Sequence, residues 1–104
     1  MVSELRYAFN MPTPLSEHDI RNALLTISGW QIRGKAVERL FKFPDFKAAM
    51  GFVNRIAAVA EEAGHHPDIA ISYNKVALTL ISHDSGGVTE RDIKMARRIN
   101  EIAD

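Results

Sequence analysis

The chain predicts an α+β domain in which three helices pack on one face of a four-stranded antiparallel sheet, in the order α-β-β-α-β-β-α. Three observations carry that expectation. Apolar residues recur at helical spacing in three segments, each opened by a capping residue. Between the helices lie two pairs of runs with period-two alternation, each pair joined too tightly to hold a crossover. The 104 residues, 46% apolar and 25% charged, have ordinary globular composition and suit one core.

Residues 1–14 read as a tail or docking arm punctuated by Pro12 and Pro14, and residues 15–104 as the domain. In "SEHDIRNALLTISG", Ser16 is the expected N-cap and Glu17 and Asp19 suit the positive end of the helix dipole. Ile20, Leu24 and Ile27 share a face, and Gly29 is the expected stop. "WQIRGKAVERLFKF" reads as two strands around Gly34-Lys35, with Val37, Arg39, Phe41 and Phe43 on one face and Glu38, Leu40 and Lys42 on the other. One mainly apolar and one mainly polar face imply a sheet covered on one side.

"PDFKAAMGFVNRIAAVAEEAG" is the strongest helix signal. Asp45 caps it, Phe46, Ala49, Met50, Val53, Ile56, Ala57 and Ala60 form its apolar stripe, and Gly64 ends it. "DIAISY" and "VALTLISH" read as two further strands joined near Asn74-Lys75, with Tyr73 packed in the sheet and His83 at a strand end. "TERDIKMARRINEIA" is the last helix, Thr89 and Asp92 making a capping-box pattern.

Composition excludes several classes of function. A formal net charge of zero argues against an electrostatic nucleic-acid binder. With no cysteine there is no disulfide or thiolate metal site, which suits a cytoplasmic protein. No run approaches the roughly 20 apolar residues that span a bilayer, and the first residues do not read as a signal peptide.

Chemistry concentrates in "EEAGHHPDIAISYNKVALTLISHD", which holds three of the four histidines. His65 and His66 follow a helix end, where imidazoles also serve simply as dipole partners. His83 opens into a Gly-rich loop and reads equally as an exposed strand-end residue. Asp92 reads as a cap, Glu61 as a solvated carboxylate and His18 as a solvated first-turn residue. A metal site built from three histidines and a carboxylate is chemically reasonable. However, no tight ligand spacing on one helix supports it. The other use of clustered imidazoles is proton transfer, since a histidine titrates near 6.5 and two can flank a substrate as acid and base.

Glu61, His65-His66-Pro67, Tyr73, His83 and Asp92, in this spacing, resemble the signature of the pterin-4a-carbinolamine dehydratase family. The similarity continues through "LTISGW", "FKFPDFKAAMGFVNRIAAVAEEAGHHPDI" and "YNKVALTLISHDSGGVTERDIKMA", so it spans roughly residues 15–103. Ser82 stands where the family frequently has Thr.

The resemblance implies dehydration of a 4a-hydroxytetrahydropterin to the quinonoid dihydropterin, with no metal or organic cofactor. It makes His65 and His83 the catalytic candidates. His66 and Pro67 are implied to bind substrate, and Glu61 and Asp92 to support the imidazoles. It also implies a homodimer or homotetramer. Some animal members of the family also serve as dimerisation cofactors for a homeodomain transcription factor, so a non-catalytic interaction or transcriptional coactivator protein on the same fold is the rival expectation.

Overall fold

A computed structural model describes residues 12–104. The tail expected at residues 1–14 therefore lies mostly outside the described residues. Its described end is tied down by the Ser85 hydroxyl, which donates to the Pro12 carbonyl at 2.7 Å, and the first domain residue follows suit, the Leu15 N–H donating to the Val88 carbonyl at 2.8 Å.

The elements follow in the expected order: α1 (Glu17–Leu24), β1 (Gln31–Arg33), β2 (Ala36–Lys42), α2 (Phe46–Ala63), β3 (Asp68–Ser72), β4 (Lys75–Leu80) and α3 (Glu90–Ala103). The sheet runs β1-β2-β4-β3 with every pair antiparallel, so the second hairpin is inserted beside β2 and leaves β3 as an edge. Register fixes what each face carries. Val37 pairs with Leu80, Arg39 with Leu78 and Phe41 with Val76, and the apolar members of these pairs are buried. One residue out of phase, Leu40 is 62% exposed on the opposite face. The helices cover the first face, where Phe52 and Ile56 of α2 and Ile93 and Ile99 of α3 join the same core as the strands.

Capping explains where the helices begin. Ser16 accepts from the Asp19 N–H at 3.1 Å, and Asp45 from the Ala48 N–H at 2.8 Å. The ends differ more from expectation. α1 stops at Leu24, because Thr26 and Ile27 donate to carbonyls three residues back and the Thr26 hydroxyl bonds the Ala23 carbonyl. Ile27 lies beyond the helix yet is buried. β4 stops at Leu80. His83 is therefore not on a strand but opens a single 3-10 turn, His83–Ser85, closed by Gly86 at φ 78°.

Two packing expectations are also corrected. At 3.6 residues per turn the buried stripe of α2 centres on Ala49, Ile56 and Ala60. That moves Phe46, half exposed, and Ala57 to its flank and brings in Phe52, whose ring lies 4.8 Å from Phe41 and 4.9 Å from Phe43. Tyr73 does not pack in the sheet. It occupies the β3–β4 turn at φ 52° and is 65% exposed.

A buried polar clasp locks α3 to the rest. Asn100 accepts from the Trp30 indole N–H at 2.9 Å and from Arg39 at 2.6 Å, and donates to the Ser28 carbonyl at 3.0 Å. Gly29, at φ 87°, lets the chain pass under Arg39: a Cβ there would lie 2.5 Å from Arg39 Nε.

Phe52→Ala should cost about 3–5 kcal/mol in urea denaturation, as expected for a fully buried aromatic ring. Gly29→Ala should cost at least about 1–2 kcal/mol from its left-handed φ alone, with a further loss as Arg39 is displaced from Asn100.

Candidate active site

The end of α2 sets the geometry. Gly64 adopts a left-handed conformation, φ 65° and ψ 27°. The Gly64 N–H then donates to the Glu61 carbonyl and the His65 N–H to the Ala60 carbonyl, at 3.3 and 3.2 Å. This Schellman closure reverses the chain sharply. His65 turns inward, with a side chain only 13% exposed, while the adjacent His66 stays outside at 59%. Pro67, which is buried, leads the chain into β3.

His65 meets Asp92. Its Nε2 lies 2.5 Å from Asp92 Oδ1, and the Asp92 side chain has no exposure at all. The other carboxylate oxygen, Oδ2, accepts from the Thr89 N–H and from the Ser82 hydroxyl, both at 2.8 Å. Ser82 has one proton and gives it to Asp92, so the Thr89 hydroxyl, 2.8 Å away, donates to Ser82. Thr89 Oγ1 in turn accepts from the Arg91 N–H at 3.2 Å. The capping box of α3 and the anchoring of the imidazole thus share one carboxylate. With Asp92 as acceptor, His65 donates from Nε2, which in a neutral imidazole leaves the lone pair on Nδ1.

His66 Nε2 is hydrogen-bonded to Glu61 at the surface. His83, in the turn after β4, completes the group. Gly64, His65, His66, Ile81, Ser82, His83, Asp84 and Arg91 line one open cleft of about 340 Å³. The structure therefore brings His65, His66 and His83 to a common space, with Asp92 behind His65 and Glu61 beside His66. Pro67 does not line this cleft, and His18 lies apart on α1, 3.4 Å from Asn22.

Sequence reading missed Ser82, Asp84 and Arg91 as cleft residues. Arg91 bonds Asp84 at 2.6 Å, and that guanidinium holds the Asp84 carboxyl below its usual range. Protonation of Asp84 in acid, as the pH falls through that lowered value, removes the charge attraction of this exposed pair. The signal for Arg91 was its place next to Asp92 in "TERD", but only the turn at residues 83–85 reveals its partner. Among the described residues, no group of three or more His, Asp or Glu side chains is placed to hold a metal ion.

Asp92→Ala should destabilise the fold by at least about 2 kcal/mol, because it removes a cap and leaves buried donors unpaired. Glu61→Ala breaks only an exposed pair and should change stability by less than about 0.5 kcal/mol. Urea denaturation of both variants checks the contrast.

Comparison with known proteins gives the family. The family model described as "Pterin 4 alpha carbinolamine dehydratase" matches residues 13–102. A Koribacter versatilis protein named "Putative pterin-4-alpha-carbinolamine dehydratase" is 55% identical over 92 residues, covering 88% of this chain and 98% of its own. A Sulfurisphaera tokodaii protein of the same name is 42% identical, covering 85% and 95%. Among solved structures, a transcriptional coactivator/pterin dehydratase from Brucella melitensis superposes with a TM-score of 0.84 at 46% identity, covering 88% of this chain and all of its own. A pterin dehydratase-like protein identified as a RuBisCO assembly factor in the alpha-carboxysome is more distant: TM-score 0.59, 27% identity, 71% of this chain and 86% of its own. The chain belongs to the pterin 4 alpha carbinolamine dehydratase family.

Proposed function

We propose that the chain is a hydro-lyase that dehydrates 4a-hydroxytetrahydropterin to quinonoid dihydropterin, and so recycles the pterin cofactor of aromatic amino-acid hydroxylases. The observation that carries this reading is the convergence of three histidines on one cleft, one of them oriented by a buried carboxylate.

The reaction is a paired proton transfer. The C4a–O bond breaks as the hydroxyl takes a proton and leaves as water. The N5 lone pair forms the C4a=N5 bond, and the N5 proton is lost. His65, with a lone pair on Nδ1, suits the base at N5. His83, on an exposed turn across the same cleft, suits the acid at the hydroxyl. His66 sits at the rim, where its pair with Glu61 holds it against the pterin. Pro67 acts through the loop by fixing the direction in which the histidine pair leaves α2. The chemistry asks for no metal or organic cofactor. Each proton-transfer group is worth typically about 10²–10⁴-fold.

The same reading makes residues 15–104 the catalytic domain of a cytoplasmic homodimer or homotetramer with no direct nucleic-acid contact. Zero net charge supports the last point. The edge strand β3, with Ile69 and Ile71 exposed, supports self-association, since an unpaired edge of this kind is ready to be covered. Among the described residues no helix is long and apolar enough to cross a membrane. The second reading, an interaction or coactivator protein on the same fold, draws on the name of the Brucella structure. Binding of a dihydropterin product analogue separates the two, because an interaction protein has no use for it.

Freshly generated 4a-hydroxytetrahydropterin, followed by absorbance, should dehydrate faster with the intact protein. His65→Ala and His83→Ala should each lower the rate by about 10²–10⁴-fold, and a chelator should have no effect. A folded protein that gives no acceleration would sink the enzyme reading.

A further inference from the structure

A second cavity, of about 250 Å³, adjoins the histidine cleft. His65 and Arg91 line both spaces, and Ala63, Lys94, Met95 and Arg98 complete the second. Arg91, Lys94 and Arg98 stand at i, i+3 and i+7 of α3, so one helix face delivers three cations to one hollow.

The acids nearby do not fill that hollow. Asp84 bonds Arg91 and Glu62 bonds Arg98 at 3.3 Å, but neither acid lines the cavity. Asp92 is turned to His65, Ser82 and Thr89, and Glu61 to His66. Lys94 has no acidic partner within ion-pair distance among the described residues. Among the described residues, Arg91 Nε is enclosed with no hydrogen-bond partner. Of the described residues, three cations and no acid line a cavity that shares its wall with the proposed base.

We infer that this cavity is an anion subsite for the substrate, and that the preferred 4a-hydroxytetrahydropterin carries a phosphate monoester on its side chain. The inference rests on the dehydratase reading above. With the ring against the histidines, a substituent would extend past His65 and Arg91 toward Lys94 and Arg98. A neutral polyol there would give three cations only hydroxyls to meet. A phosphate offers several acceptor oxygens to two guanidinium forks and an ammonium. Met95, buried, and Ala63 supply an apolar wall for the chain between.

The test compares two substrates at low ionic strength: a 4a-hydroxytetrahydropterin with a trihydroxypropyl side chain, and its terminal phosphate monoester. The ratio of their kcat/KM values should favour the phosphate by about tenfold, a modest figure because the cations are partly solvated, and should fall with added salt. Lys94→Gln combined with Arg98→Gln should bring the ratio close to one, while Arg98→Lys should keep most of it. A wild-type ratio near one, or a ratio indifferent to the double variant, would overturn the subsite. Inorganic phosphate should erode the ratio by competition. If it instead stimulated the neutral pterin, the cavity would be a site for a free anion and the substrate assignment would fall. If neither substrate turns over, the dehydratase reading fails by itself, and calorimetric titration with a dihydropterin and its phosphate monoester decides the subsite. Tighter binding of the phosphate, lost in the double variant, supports it; equal binding, or none, overturns it.

Discussion

Asp92 joins parts of the fold that are otherwise distant in sequence. One carboxylate caps α3 through the Thr89 N–H, holds Ser82 just past the end of β4, and fixes His65 just past the end of α2. Three chain reversals therefore converge on one fully buried side chain. Burying a carboxylate is costly unless donors surround it. Here the donors are the ends of the very elements that must meet to form the cleft. The stability of the fold and the orientation of the imidazole depend on the same bonds.

That coupling separates the histidines by environment. His65 is set by the interior and has little freedom to change its tautomer or direction. His83 stands on an exposed turn, and His66 is paired with Glu61 at the surface. In the proposed reaction the base is the preorganised group, and the acid and the binding group meet the substrate from the surface. The two solved relatives illustrate why the site carries the functional argument: one fold bears both a coactivator/dehydratase name and a carboxysomal assembly-factor name.

Much of this was legible in the sequence. Alternation and capping residues placed the two hairpins and the starts of all three described helices, because Ser16, Asp45 and Thr89 act locally. The capping box at Thr89 and Asp92 was readable for the same reason. What was not readable depended on tertiary partners. The exact face of α2 is chosen by Phe41 and Phe43, which sit on the sheet, so Phe52 could not be found from its own helix alone. The end of β4 is set by where the Ser-Gly-Gly turn folds back onto Ser82, which moved His83 off the strand. Asp92 had a sufficient local explanation as a cap, and its second bond, to His65, spans 27 residues. The cationic cavity was not legible because Arg91, Lys94 and Arg98 on the last helix meet Ala63 and His65 only in the folded chain.

The most direct test of the central claim, that the three histidines form one pterin site built on Asp92, is imidazole 15N NMR during titration with a dihydropterin product analogue. The account predicts that free His65 shows a protonated Nε2 and an unprotonated Nδ1. It also predicts that His65, His66 and His83 shift together and saturably while His18 stays still. Saturable binding that leaves His65 and His83 unmoved, or no binding by the folded protein, would contradict it.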